Sequence, residues 1–149
     1  MKILITGSNG YIGNFLSKHF SKENKVIGLD LHSDERQKDY KNFIFEQCDV
    51  RDREKVESIF KKHQPEVVIH LAYLMKPQRD REFENDVDVK GAKNVIDASE
   101  SIKVKQFINY SSSSIYGGHK NNPEFINEDY PIEPRDWVYA QNKKHVEEY

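Results

Sequence analysis

The 149-residue sequence predicts an α/β fold, a doubly wound and mostly parallel sheet with helices on both faces. Three observations carry that expectation. Short β-like runs alternate with helix-like stretches along the chain; the first run passes directly into three glycines spaced three apart; and no apolar run reaches the length that crosses a bilayer. The length fits one domain, residues 1–149, large enough for a single core.

The β-like runs fall at Lys2–Ile5, Lys25–Leu29, Phe43–Glu46, Val67–Leu71 and Gln106–Tyr110. Between the first two, Ile12, Phe15, Leu16, His19 and Phe20 recur at helical spacing, and Val56, Ile59 and Phe60 do so before Pro65. Both stretches read as crossover helices. A longer helix is expected from about Arg81 to Ser101, with Phe83, Val87, Val95, Ile96 and Ala98 inward and Gly91 marking a close approach to a neighbour. Right-handed crossovers then give strand order 3-2-1-4-5. Residues Leu31–Asn42 and Gly117–Arg135 are polar and read as surface loops near the strand ends. There is no internal repeat and no low-complexity tract.

Composition narrows the partners. Lys and Arg number 23 against 25 Asp and Glu, a net charge of −2, and the charges are interspersed. Nucleic acid and anionic membranes are therefore not expected partners. Apolar residues are only 36% of the chain and charged residues 32%, yet the apolar positions are periodic, which argues for folding over disorder. The single cysteine, Cys48, cannot form an internal disulfide, and the first strand begins at Lys2 without a secretory signal, so a cytoplasmic setting is expected.

The glycine segment Thr6-Gly7-Ser8-Asn9-Gly10-Tyr11-Ile12-Gly13 sits where a buried strand turns into a helix. Gly7 can adopt backbone angles closed to other residues, Gly10 leaves room for a pyrophosphate against the backbone, and Gly13 lets helix and strand pack closely. The free N–H groups of the helix start would face phosphates. A turn that serves packing alone is the alternative. Together with the alternating elements, the segment indicates a dinucleotide site in a Rossmann-type sheet. Asp30 ends the second strand, where a carboxylate accepts from adenosine ribose hydroxyls and repels a 2′-phosphate, favouring NAD. A plain turn-capping aspartate is the other reading. Arg36 keeps NADP open as the lesser option. Asp49-Val50-Arg51-Asp52 follows the third strand, where a side chain could meet adenine and Asp52 could equally cap the next helix.

A second constellation is Tyr110-Ser111-Ser112-Ser113-Ser114-Ile115-Tyr116-Gly117, followed by Tyr139-Ala140-Gln141-Asn142-Lys143 opening a helix. Tyr139 and Lys143 share a helix face at i, i+4. A tyrosine with its ordinary pKa of about 10 is a poor base at neutral pH, and an ammonium one turn away stabilises the phenolate. A nearby serine hydroxyl can orient an alcohol. The six histidines are scattered without carboxylate-supported pairs, so a metal enzyme is not expected. Lys76-Pro77-Gln78-Arg79 reads as a solvated loop near the cofactor mouth, with a phosphate contact from Lys76 or Arg79 as the alternative.

These residues resemble extended short-chain dehydrogenases/reductases, specifically the NAD-dependent epimerase/dehydratase group acting on nucleotide sugars. The marks are Thr6-Gly7-x-x-Gly10-x-x-Gly13, Asp30, Asp49-Val50, His70-Leu71-Ala72, Gly91-x-x-Asn94-Val95, Ser111-Ser112 with Tyr116-Gly117, Glu128-Asp129 before Pro131, and Tyr139-x-x-x-Lys143. The resemblance implies Tyr139 as acid/base on a sugar hydroxyl, Ser112 orienting that hydroxyl, and Lys143 holding the nicotinamide ribose and depressing the tyrosine pKa. It implies cofactor contacts from Gly7, Asn9, Gly10, Tyr11, Ile12, Gly13, Asp30, Asp49, Val50, Leu71, Ala72, Tyr139 and Lys143. A nucleotide-sugar substrate follows, and a homodimer through the helix of Tyr139 and the one before it.

The chain departs from the family pattern at four places, one being Gly91-Ala92-Lys93 where the family reads Gly-Thr-x. Asp88 stands where the family commonly has Asn, Asn142 where it usually has a small residue such as Ser, and the chain stops at Tyr149 where members are considerably longer. The expectation is a sheet incomplete on its C-terminal side, lacking the substrate domain: a partial or truncated copy of such an enzyme. The alternative is a non-catalytic dinucleotide-binding module, or a subunit completed by another polypeptide. A reductase of a small carbonyl compound is a third reading.

Overall fold

A computed structural model describes residues 1–76 and 78–149; Pro77, in the loop read as solvated, lies outside the described residues. Five parallel strands, β1 (Lys2–Thr6), β2 (Lys25–Asp30), β3 (Phe43–Gln47), β4 (Val67–His70) and β5 (Gln106–Asn109), form one sheet in the order β3-β2-β1-β4-β5. That is the order the crossover rule gives. In β1, Ile3 pairs in register with Val26 on one side and Val67 on the other.

Both faces are covered, which is why the central strands are apolar throughout rather than alternating. Ile3, Ile5, Val26 and Ile69 point to one face and pack against Leu16 and Phe20 of α1 (Tyr11–Phe20). Leu4, Ile27, Leu29 and Val68 point to the other, against Val56, Ile59 and Phe60 of α2 (Arg53–His63) and Val95 and Ala98 of α4 (Gly91–Ser101). Asp52 caps α2 by accepting from Lys55 N–H at 3.0 Å, and Gln64 ends it in the left-handed region before Pro65. The helix that carries Tyr139 and Lys143, α5 (Val138–Glu147), seats Val146 on Val89 and Ala92. At the edge of the sheet, among the described residues, β5 pairs with β4 alone, and Ile108 is exposed.

The helix expected from Arg81 to Ser101 is interrupted. It runs as α3 (Arg81–Asn85), a π turn over Asp86–Lys90, and α4. Gly91 is the close approach its identity suggested, since a Cβ there would lie 2.6 Å from Val50 Cγ2. Phe83 does not point inward: it stands at the cavity rim with the Arg51 guanidinium 4.9 Å from its ring centre. The first turn of α3 overhangs the cavity rather than the core, so helical spacing alone misplaced it. The polar segment after β2 is tied down as well. It holds a short 3₁₀ turn, Glu35–Gln37, and the buried Gln37 amide donates to the Ser8 carbonyl at 2.8 Å.

Candidate functional site

The glycine turn joins β1 to α1 through a backbone that only glycine tolerates at one point. Gly7 has φ +67°, and a Cβ there would meet the Leu71 and Ala72 backbone at 2.8–2.9 Å. A Cβ on Gly13 would fall 2.1 Å from the Gly7 carbonyl oxygen, so the helix is pressed onto the turn. Gly10 differs. Its backbone is ordinary (φ −61°, ψ 168°), and the one atom near its Cβ direction is Gly7 O at 3.2 Å. Gly10 is the N-cap of α1 and no side chain caps the helix, leaving first-turn N–H groups for an anion.

A cavity of about 590 Å³ opens in front of this turn. Gly7, Asn9, Gly10, Tyr11, Ile12 and Gly13 form one wall, and Asp30 with Leu31 another. The Asp30 carboxylate accepts from Asn9 N–H at 2.9 Å and from Leu31 N–H at 2.8 Å, which fixes it at the end of β2. Asp49 and Val50 line the far end. The Arg51 guanidinium bonds the Asp49 carboxylate through Nε and Nη2, and this pairing lowers the Asp49 pKa against the opposing effect of burial. Asn94 donates to the Val50 carbonyl at 2.9 Å, holding that loop against α4. Cys48 is buried in the lining, and desolvation raises its thiol to about 11, so it stays protonated.

Thr6 organises the opposite lip. Its Oγ1 accepts from Leu71 N–H at 3.1 Å and Ala72 N–H at 3.3 Å, and its hydroxyl meets His70 Nδ1 at 2.7 Å. With both lone pairs engaged, the Thr6 proton goes to Nδ1, so His70 carries its own proton on Nε2. His70 is fully buried; desolvation first, and then the Lys143 charge, push its pKa down to about 3. It is a neutral strut that fixes Leu71 and Ala72 on the cavity wall.

Tyr139 and Lys143 close the cavity at the end of β5. Lys143 is 1% exposed; its ammonium donates to the Tyr110 carbonyl, lies 2.9 Å from the Tyr73 ring centre and 5.6 Å from that of Tyr139. Desolvation pulls its pKa down to about 7, resisted by Asp88 and Glu147. Burial raises the Tyr139 pKa, and the Ser112 side chain is the group that lowers it. The expected depression of the phenol by Lys143 is not how this arrangement stands, because the ammonium is drawn to the Tyr110 carbonyl and the Tyr73 face. Ser112 also accepts from Ser114 N–H at 3.2 Å and lies outside the cavity wall.

All thirteen expected cofactor residues therefore face one cavity, and Ser112 stands beside Tyr139. Sequence reasoning missed the Thr6 and Tyr73 contributions and the Tyr110 carbonyl. Thr6 sat inside the quoted glycine motif without a role; Tyr110 contributes a backbone atom, which no residue pattern encodes.

The NAD dependent epimerase/dehydratase family model matches residues 3–149. Protein CapI of Staphylococcus aureus is 31% identical over 160 residues, which cover 97% of this chain and 47% of that protein. UDP-glucose 4-epimerase of Bacillus subtilis is 30% identical, over 99% of this chain and 46% of its own length. Among solved structures, the Bordetella bronchiseptica enzyme WbmH in complex with NAD+ superposes with a TM-score of 0.90 at 27% identity, covering 99% of this chain and 50% of that one. The Thermotoga maritima UDP-glucose 4-epimerase with UDP-glucose gives 0.85 at 29%, covering 100% and 50%. The chain spans about half the length of the curated relatives it matches.

Proposed function

From the premise that this chain belongs to the NAD-dependent epimerase/dehydratase family, we propose that it binds NAD in the 590 Å³ cavity and acts on a nucleotide sugar. One observation carries the reading: the phosphate-type turn of Gly7 and Gly10 and the pair Tyr139 and Lys143 line the same cavity. The fit to a dinucleotide rests on the space left by Gly10 and on the uncapped α1 terminus, which suits a pyrophosphate. Asp30 takes the adenosine ribose hydroxyls and repels a 2′-phosphate, so NAD is preferred over NADP. Leu71 and Ala72 form an apolar wall for the nicotinamide end, and Lys143 takes the ribose there.

When bound, NAD supplies a carbon that accepts and returns hydride. The chain's own task is proton handling beside that carbon. Tyr139 removes the proton of the sugar hydroxyl and gives it back, with Ser112 orienting the hydroxyl. Because burial opposes the phenolate, the work of stabilising it falls to Ser112 and to Lys143 once the ammonium turns from the Tyr110 carbonyl. UDP-sugars are the substrate class to test first, since UDP-glucose occupies the Thermotoga enzyme.

A second reading, a non-catalytic dinucleotide-binding module, draws on the Lys143 ammonium, which the Tyr110 carbonyl and the Tyr73 ring hold. Calorimetric titration with NAD and then NADP tests the cofactor step, and turnover of UDP-sugars separates the two readings. NAD binding with weaker NADP binding is expected; no heat with NAD from a monodisperse, folded chain overturns the proposal.

A further inference from the structure

A second cavity opens beside the first. It holds about 270 Å³ between the segment after β4, the first turn of α3 and the start of α5, and it shares Leu74, Met75 and Tyr139 with the first. Tyr139 therefore stands between the two spaces. A volume of about 270 Å³ lies just under the roughly 300–1,000 Å³ of drug-sized pockets, which suits one sugar ring and excludes a nucleotide. Neighbouring residues of α3 divide the cavities: Phe83 lines the first and Glu84 the second, as a helical step of roughly 100° per residue allows.

The lining of this second cavity is chemically mixed. Trp137, the N-cap of α5, is 52% exposed, and its ring centre lies 5.1 Å from that of Tyr139 at a tilt of 36°. Met75 is 77% exposed in the same lining. Large side chains left facing water in a concave site offer an apolar platform to the C–H face of a sugar ring. Glu84 is the opposite case, a carboxylate 7% exposed whose Oε1 accepts from Gln78 N–H at 2.7 Å. Among the described residues it has no ion-pair partner. Arg81 and Asp136 also line the cavity, but both are exposed and opposite in charge. Water screens that pair, and the buried carboxylate sets the field inside.

Resting on the nucleotide-sugar reading, we propose that this cavity seats the sugar ring on Trp137 and that Glu84 restricts it to sugars without a carboxylate. A sugar hydroxyl brings a proton that the Glu84 carboxylate can accept as a hydrogen bond. A uronate carboxylate brings no proton and adds a like charge where water screens poorly. Neutral hexoses are therefore the substrate class, and uronic acids are refused. The hydroxyl handled by Tyr139 then belongs to a ring whose far side is read by α3.

The chain contains one tryptophan, so its fluorescence reports on this cavity alone. In the NAD-saturated full chain, UDP-glucose should change the Trp137 emission and UDP should not. Calorimetry should give UDP-glucose a Kd at least about tenfold below that of UDP-glucuronate. Glu84→Gln keeps an acceptor for Gln78 N–H and removes the charge, and should bring the two Kd values within about threefold. Trp137→Leu, at an exposed position, should weaken UDP-glucose about tenfold with NAD affinity unchanged, and it carries the test if Glu84→Gln does not fold. Equal affinity for the two sugar nucleotides overturns the inference and leaves the nucleotide-sugar reading standing. So does UDP-glucose binding that leaves the emission unmoved, or an emission change with UDP alone. Heat from neither sugar nucleotide overturns that reading, and this inference with it.

Discussion

Exchanging Gly10 and Gly13 for larger residues should separate folding from cofactor binding, although both glycines belong to one turn. An alanine at Gly13 would place its Cβ 2.1 Å from the Gly7 carbonyl oxygen and 2.9 Å from Gly7 C and Ser8 Cα, all of them backbone atoms that cannot rotate aside. Contacts of that kind are not seen below 3.0 Å, so α1 must retreat from the turn by about 1 Å. Overpacking at the upper end of its usual range costs about 3 kcal/mol. Alanine recovers about 1 kcal/mol of helix propensity, leaving a net loss of about 2 kcal/mol, or a Tm lower by roughly 4–8 °C for a domain of this size. Gly10 lies in a conformation open to any residue and has only Gly7 O at 3.2 Å in its Cβ direction. Gly10→Val should therefore unfold within about 1 kcal/mol of the parent while its side chain fills the space offered to the pyrophosphate. Chemical denaturation and NAD calorimetry on both variants decide the matter. A Gly13→Ala chain of unchanged stability would refute the packing argument, and a Gly10→Val chain that binds NAD as the parent does would move the phosphate site elsewhere.

Two further outcomes are expected. Tyr139→Phe should reduce any sugar turnover by about 10²–10⁴-fold while leaving NAD affinity within about threefold, measured by steady-state kinetics beside calorimetry; turnover at the parental rate removes Tyr139 from the proton-transfer role. His70 should make the protein acid-sensitive. Its folded pKa of about 3 lies below its ordinary 6.5, so between those values the unfolded chain binds more protons and stability falls as pH drops. Urea unfolding of the parent between pH 6 and pH 4 should lose up to about 1.4 kcal/mol per pH unit more than His70→Gln, and equal slopes would refute the buried neutral histidine.

Much of this architecture was legible in the residues. Ile3-Leu4-Ile5 running into Gly7 marked both β1 and the turn, because a strand covered on both faces needs an unbroken apolar run and a left-handed turn needs glycine. Strand limits fell within a residue of those observed, and the expected order matched. Phe83 and the π turn were not legible. A helix that leaves the core to roof a cavity keeps its apolar spacing, and a widened turn shifts its register without altering composition. The buried Gln37 within a polar segment was hidden for a similar reason, since its partner is a backbone carbonyl of the glycine turn.

The sequence by itself determined the fold, the family and the thirteen residues expected at the cavity, because local periodicity and turn chemistry are written in neighbouring residues. Tertiary structure alone decided the charge relations among them. Asp88 and Asn142 lie 54 positions apart yet share a hydrogen bond, and Lys143 reaches the Tyr110 carbonyl from 33 positions away. Burial then sets which of these groups stay ionised. Desolvation depends on everything packed around a side chain, and that sum exists only once the chain has folded.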